Sequence, residues 1–338
     1  MSIKIKDALF CLNKYFNEQT AEEWDNSGLL CGDTSQVLTH IIICLDITQA
    51  VLDLAIQKNI NLIISHHPVI FKPFLPLTTQ SYKGKILIDA IKHDICIYSA
   101  HTNVDKAILG INNANAKMLG LKNIALIPPS DMNPYKISAP LESRDQKHVL
   151  DILSKYNCTN ITFYLGCDNK LVTEAFITEE MISDDLYHIM QETSLNFNII
   201  PTKNLRNDVC NFIIGEIEPM NIFDFTEHVK RCFDLKTVAI GGYINRNIKK
   251  VAFCGGAGKS FLKEAIAHNI DVYITGDISH HDFQLAYESG ILLIDATHYA
   301  TEKVFLEIIS STLLHEDIGI NKDNITLIEQ FELFSKIV

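Results

Sequence analysis

One unit recurs along the chain and narrows the folds open to it: an amphipathic helix, a short apolar strand, then polar residues where the strand ends. "TQAVLDLAIQKN" leads into "INLIISHH", and "GKILIDAIKHD" into "ICIYSAHTNVD". "KSFLKEAIAHN" leads into "IDVYITGDISHHD", and "DFQLAYESG" into "ILLIDATHYATE". The helices repeat apolar residues near every 3.6 positions, and the strands are near-continuous apolar runs, as expected of a sheet covered on both faces. Strands alternating with helices of about ten residues predict an α/β architecture of mostly parallel strands. "HIIICLDIT" adds a further strand, with Thr48 placed to cap the helix that follows.

This architecture gives the polar groups a common address, because open α/β sheets bind ligands outside the carboxyl ends of their strands. Those ends carry His66 and His67, His101 with Asp105, Asp277 with His280 and His281, and His298 with Glu302. His298 and Glu302 stand four residues apart, so a helix starting near Ala300 brings both to one side of its first turn. The pair suits a transition metal, or else a hydrogen bond on the helix surface. His66 and His67 cannot share a ligand while the strand stays regular, because adjacent side chains point oppositely. At a turning strand end, with Pro68 holding His67 extended, the two rings can reach two neighbouring ions. The other reading packs one ring and solvates the other.

Asp105 is either a further ligand or a cap for a helix beginning near Lys106. Taken together these segments place imidazoles and carboxylates at one sheet edge, a density that calls for a cation. Asp277, His280 and His281 suit ligands, groups that orient the ligands or substrate contacts, and "TGD" with Ser279 as an N-cap has a purely structural reading too; they rank as pocket wall, below the other three segments. "FCGGAGKS" lacks the first glycine of a phosphate-binding P-loop, since Phe253 stands there. Gly256, Gly258 and Ser260 are weak substrate contacts on that turn, and tight packing is the plainer reading.

The nine cysteines include no C-x-x-C pair, which argues against a thiolate zinc site or a disulfide framework and for reduced core thiols. A net charge of -12 argues against broad nucleic-acid binding. "MSIKIKDALFCLNKYFNE" patterns as an amphipathic helix rather than a signal peptide, and no apolar run is long enough to span a membrane. A cytoplasmic protein is expected. The breaker cluster "IPPSDMNP" ends the first half, and the block after it lacks site-like groups. The expected division is a core lobe over 1–128, a small inserted α+β domain over 129–218, and a second core lobe over 219–338 that completes the site.

"EEWDNSGLLCGD", "LIISHHPVIFKP", "SAHTNVD", "GGAGKSF", "YITGDISHHD" and "DATHYATE" resemble, in that order, the YbgI or Nif-three-like family of GTP cyclohydrolase I type 2-like proteins. The resemblance covers residues 1–127 and about 219–338. It implies a two-lobed α/β core with a dinuclear metal site, a PII- or CutA-like inserted domain, and assembly as a toroidal homohexamer. It implies metal ligation by His66, His67, Asp105, His298 and Glu302, with Glu302 bridging two divalent ions (Zn, Mn, Fe or Ni). His101 and His281 are then candidates to move protons, and the activity implied is metal-dependent hydrolysis of a small molecule such as GTP. Trp24, Asp25 and Asn26 match a motif of the family without a role that the sequence supplies. A scaffold that holds metal and binds a partner is the other reading.

Overall fold

The computed structural model describes residues 2–72, 76–129, 135–166, 170–177, 179–201, 209–243, 245–316 and 318–329. The chain falls into two compact units, Met1–Ile127 with Asp208–Val338, and Pro128–Asn207.

In the larger unit the chain runs from α1 (Ile5–Tyr15) through β1 (Gly28–Cys31), β2 (Ile41–Cys44), α2 (Gln49–Gln57) and β3 (Leu62–Ser65). It continues through α3 (Tyr82–Lys92), β4 (Cys96–Ser99), α4 (Thr102–Lys106), α5 (Ile111–Met118) and β5 (Lys122–Ile127). The smaller unit follows as β6 (Tyr135–Leu141), α6 (Gln146–Lys155), β7 (Thr159–Leu165), β8 (Leu171–Ile177), α7 (Glu179–Asp184), α8 (Leu186–Thr193) and β9 (Asn198–Pro201). The chain then returns as β10 (Phe212–Met220), α9 (Ile222–Phe233), β11 (Ala239–Gly242), β12 (Ile248–Phe253), α10 (Leu262–Ala267) and β13 (Val272–Thr275). It ends with α11 (His280–Glu288), β14 (Leu292–Asp295), α12 (His298–Glu302), α13 (Phe305–His315) and β15 (Ile325–Ile328).

Local chemistry accounts for the helix starts. The Thr48 hydroxyl accepts from the Val51 amide, as its place before α2 suggested, and Ser81 and Asn221 cap α3 and α9 in the same way. The four repeated units become α2–β3, α3–β4, α10–β13 and α11–β14. Wherever such a helix links two strands, the strands are parallel: β2, β3 and β4 in one sheet, β12, β13 and β14 in the other. The expectation of mostly parallel strands therefore holds in the first sheet, where β15 is parallel as well and only β1 is antiparallel, and in the second sheet only at its centre. β1, β11, β10 and β5 pair antiparallel.

The first sheet has the order β1-β4-β3-β2-β15, and the second β11-β14-β13-β12-β10-β5. Alternate residues of the apolar strands face two different cores. Ile42, Ile63 and Ile97 pack under α2 and α3 with Leu52, Ile86 and Leu87. Ile41, Ile43, Leu62, Ile64 and Tyr98 pack against Ile5, Leu12 and Phe16 of the N-terminal segment and Phe305, Ile309 and Leu313 of α13. The second sheet repeats the arrangement, with Phe225, Val229 and Phe233 of α9 on one face and Leu262 and Ala265 of α10 on the other. Burial on both faces is why these strands read as unbroken apolar runs. The C-terminal α13 and β15 belong to the first sheet's layers, with β15 parallel to β2.

The smaller unit is a four-stranded antiparallel sheet of order β7-β8-β6-β9. Its βαββαβ sequence of elements, with Ile137, Val149, Leu153, Ala175 and Ile189 in its own core, is the ferredoxin-like pattern. Among the described residues, no helix is long and apolar enough to cross a membrane.

Candidate metal centre

The site grows from strand ends. Beyond β3 the parallel ladder continues for two residues, the His66 amide donating to the Cys44 carbonyl and the His67 amide to that of Leu45. The Ser65 hydroxyl then turns back to donate to the His67 carbonyl at 2.9 Å. This turning strand end lets adjacent residues present their rings together, with centroids 5.0 Å apart. The neighbouring strand β4 ends before His101, which precedes α4. Asp105 lies within that helix, which starts at Thr102, so Asp105 does not cap a helix beginning at Lys106. From the second sheet, β14 leads into Thr297, whose hydroxyl accepts from the Ala300 amide and starts α12 at His298. The helix thus begins two residues before Ala300, and His298 and Glu302 share one turn. Thr297 has φ 62° and ψ 149°, a backbone region costly for any residue with a Cβ.

Each imidazole is oriented through Nδ1. His66 Nδ1 donates to the Ala100 carbonyl at 2.9 Å, and His67 Nδ1 meets Asp46 at 2.9 Å. His298 Nδ1 meets Asp277 at 2.8 Å, and His101 Nδ1 meets Asp25 at 2.7 Å. A carbonyl or carboxylate on Nδ1 fixes the tautomer and aims the Nε2 lone pair elsewhere, the arrangement that metal-ligating histidines use. Here the Nε2 atoms converge on the buried Glu302. Its Oε1 lies 3.0 Å from His298 Nε2 and 3.4 Å from His66 Nε2, and its Oε2 lies 3.0 Å from His67 Nε2. His66 Nε2 also lies 3.6 Å from Asp105 Oδ1, and His67 Nε2 lies 3.2 Å from His298 Nε2.

His66 Nε2, Asp105 Oδ1 and Glu302 Oε2 are buried without a hydrogen-bond partner. Leaving three such atoms unsatisfied would cost about 1–3 kcal/mol each, and more where charge is involved. A cation satisfies all three at once, so the donor set fits a metal. Two three-residue groups share Glu302: His67 with His298, and His66 with Asp105. A third group joins His66, His67 and His101. These clustered residues could bind metal ions.

The electrostatics agree. Burial opposes charge on His67, but Glu302 and Asp46 outweigh it and push its pKa up to about 10. Burial likewise opposes charge on His298, yet Glu302 and Asp277 raise it to about 9. Burial raises the carboxyl of Asp105. Burial also acts to raise Glu302, but the surrounding imidazoles dominate and hold it well below the usual carboxylate range. The pocket demands positive charge, which protons or divalent ions can supply.

Gly256 supplies the space. At φ 60° it sits where an added Cβ would collide with Glu302 Oε1 and lie 3.5 Å from His298 Nε2. Its amide donates to the Thr301 hydroxyl at 3.0 Å. The "CGGAGKS" turn therefore serves close approach to the ligand cage. Asp25 accepts from the Asn26 amide, the Ser27 hydroxyl and both the amide and hydroxyl of Thr102, besides His101. Although burial works against its charge, those bonds hold its carboxyl far below the usual range. Trp24 stands exposed beside it. His280 and His281 are exposed on the first turn of α11, their centroids 5.6 Å apart, and belong to none of the three groups. The sequence reading assigned no role to Asp46; its place at the end of β2, next to β3, was the signal available.

The family model described as Duf34/NIF3 (NGG1p interacting factor 3) matches residues 3–329. A Staphylococcus aureus protein named GTP cyclohydrolase 1 type 2 homolog is 31% identical, covering 92% of this chain and 98% of its own. One of the same name from Halalkalibacterium halodurans is 30% identical over 82% of this chain and 84% of its own. Among solved structures, a Staphylococcus aureus protein aligns at 30% identity with a TM-score of 0.71, covering 100% of this chain and 99% of its own. A Bacillus cereus protein related to NIF3 aligns at 27% identity and a TM-score of 0.72, with the same coverage.

Proposed function

Because the chain belongs to the Duf34/NIF3 (NGG1p interacting factor 3) family, we propose that its histidine–carboxylate cluster is a dinuclear metal centre of a hydrolase. The observation that carries this is Glu302, shared by two separate three-ligand groups, the arrangement expected of a carboxylate between two ions. His67 and His298 would hold one divalent cation, His66 and Asp105 the other. A pair of such ions supplies an activated water and positive charge for a developing oxyanion. Its identity among Zn, Mn, Fe and Ni follows from no single ligand, since imidazole and carboxylate suit them all.

The rest is done by the chain's own side chains. Asp46, Asp277 and the Ala100 carbonyl hold three imidazoles with Nε2 toward the centre. His101 would move a proton at the edge of the site, a role supported by its bond to Asp25 at 2.7 Å and its ring centroid 5.0 Å from that of His66. His281, exposed on the first turn of α11, is the second candidate for that role. The relatives' name, GTP cyclohydrolase 1 type 2 homolog, supports GTP or a related nucleotide or heterocycle as substrate. The βαββαβ pattern of residues 135–201 supports a PII- or CutA-like inserted domain. The family likeness also supports a toroidal homohexamer in the cytoplasm.

Metal reconstitution tests the reading. The loaded protein is expected to carry close to two ions per chain and to turn over GTP. His67→Ala and Glu302→Ala should each lower that turnover at least a hundredfold. Stoichiometric metal without turnover on GTP and a panel of phosphoesters would instead favour a metal-holding, partner-binding scaffold. The words "interacting factor" in the family description support that second reading.

A further inference from the structure

Two large aromatic side chains stand in the open beside this polar centre. Trp24 is 60% exposed and Phe71 41%. They come from segments far apart in sequence, one before β1 and one after β3. Their centroids lie 5.8 Å apart with planes tilted by 52°. Each presents an edge-on arrangement to His101, at 6.3 and 6.4 Å. His101 in turn lies 5.0 Å from His66 and 5.6 Å from His67, centroid to centroid. The aromatic pair and the metal ligands therefore share His101 as a common neighbour.

The pair is held, not merely adjacent. Asn26 Nδ2 donates to the Ile70 carbonyl at 2.6 Å, tying the Trp24 segment to the Phe71 segment. Asp25, between Trp24 and Asn26, takes the hydrogen bonds described above. The two segments are tied together by that bond while Trp24 stays 60% exposed. Exposed aromatic surface on a fixed support is what a stacking platform requires, because every heteroaromatic base has a π-face to offer it.

We propose that Trp24 and Phe71 form the wall on which a purine-sized flat ring stacks, so that the ring's edge reaches His101 and the centre beyond it. This rests on the reading of the cluster as a metal site acting on GTP or a related heterocycle, and adds the residues that receive the ring. Phosphates attached to such a ring are not what the wall recognises.

Trp24 is the chain's single tryptophan, so its emission reports directly on its own surface. The full-length, metal-loaded protein would be titrated with GTP, guanosine and inorganic triphosphate. GTP and guanosine should quench saturably, and triphosphate should not. By calorimetry, Phe71→Ala and Trp24→Ala should weaken guanosine binding on the order of tenfold, while Trp24→Phe stays within about threefold of the parent. Metal content and melting temperature of each variant show whether the fold and the centre survive. If any variant loses metal, Phe71→Tyr and Trp24→Tyr replace it, with both expected to retain binding. The wall is overturned if guanosine does not quench, if triphosphate quenches equally, or if both alanine variants bind guanosine as the parent does. GTP turnover with KM unmoved in Trp24→Ala would overturn the wall and leave the hydrolase. Ring-dependent quenching without turnover would leave the wall and overturn the hydrolase.

Discussion

Gly256 shows how narrowly the ligand cage is drawn. The two proposed ligands it borders, His298 and Glu302, come from the helix α12, and Gly256 comes from the turn after β12. Adding one methyl there forces either Glu302 or the turn to move, and the left-handed backbone at φ 60° penalises any Cβ besides. Gly256→Ala should therefore cut metal affinity at least tenfold, read by competition with a chromophoric chelator. Its melting temperature in the metal-free state should fall by only a few degrees, the scale of about 1 kcal/mol. An alanine variant with parental affinity would show that the turn and carboxylate have slack. The same residue marks a limit of reading sequence. His66, His67, Asp105, His298 and Glu302 stand out because unusual groups recur at strand ends. Gly256 does not, because its function is the absence of an atom beside a carboxylate 46 positions away, and only the packed structure supplies that neighbour. Asp46 was similarly obscure as a partner, since a carboxylate that orients an imidazole looks like any polar residue after a strand, whereas Asp277 was among the residues read as able to orient a ligand.

At the scale of elements, the helix–strand units were the legible part, since apolar periodicity carries both the element type and the crossover. The antiparallel strands were less so, because direction depends on the connection and not on the strand's own residues. β13 is entered through Asp271, a buried carboxylate that binds β12 to it. Arg246 Nε donates to it at 2.6 Å, and the amides of Lys249 and Lys250 at 2.9 and 2.8 Å. Burial opposes its charge, but these donors prevail and lower its pKa. The folded value lies below the unfolded one, so the contribution to stability is complete above about pH 4, near the unfolded carboxyl value. It is lost as the pH falls through the folded value. Asp271→Asn should cost about 1–3 kcal/mol near neutrality, measured by urea unfolding. The gap between variant and parent should close on acidification below about pH 4. A gap that stays constant into strong acid would assign the loss to packing instead.

For the molecule as a whole, the smaller unit leaves and re-enters the larger one at neighbouring points. β5 ends at Ile127, paired with Phe212 at the start of β10, and the Asn211 amide donates to the Ile127 carbonyl at 2.8 Å. Replacing the smaller unit, residues 128–207, by a flexible Gly-Ser linker should leave a folded protein with unchanged metal stoichiometry, since every member of the three residue groups lies in the larger unit. Loss of metal from a monodisperse, helical deletion variant would show that the smaller unit supports the centre. β15 has the opposite character. It is the last described strand, yet it pairs with β2 near the chain's beginning, and α13 seals the face of the first sheet beside α1. Without β15, β2 is a bare edge open to wrong partners, and without α12 the pocket has only His66, His67 and Asp105 of its five residues. A chain stopped before α12 would therefore carry both defects at once.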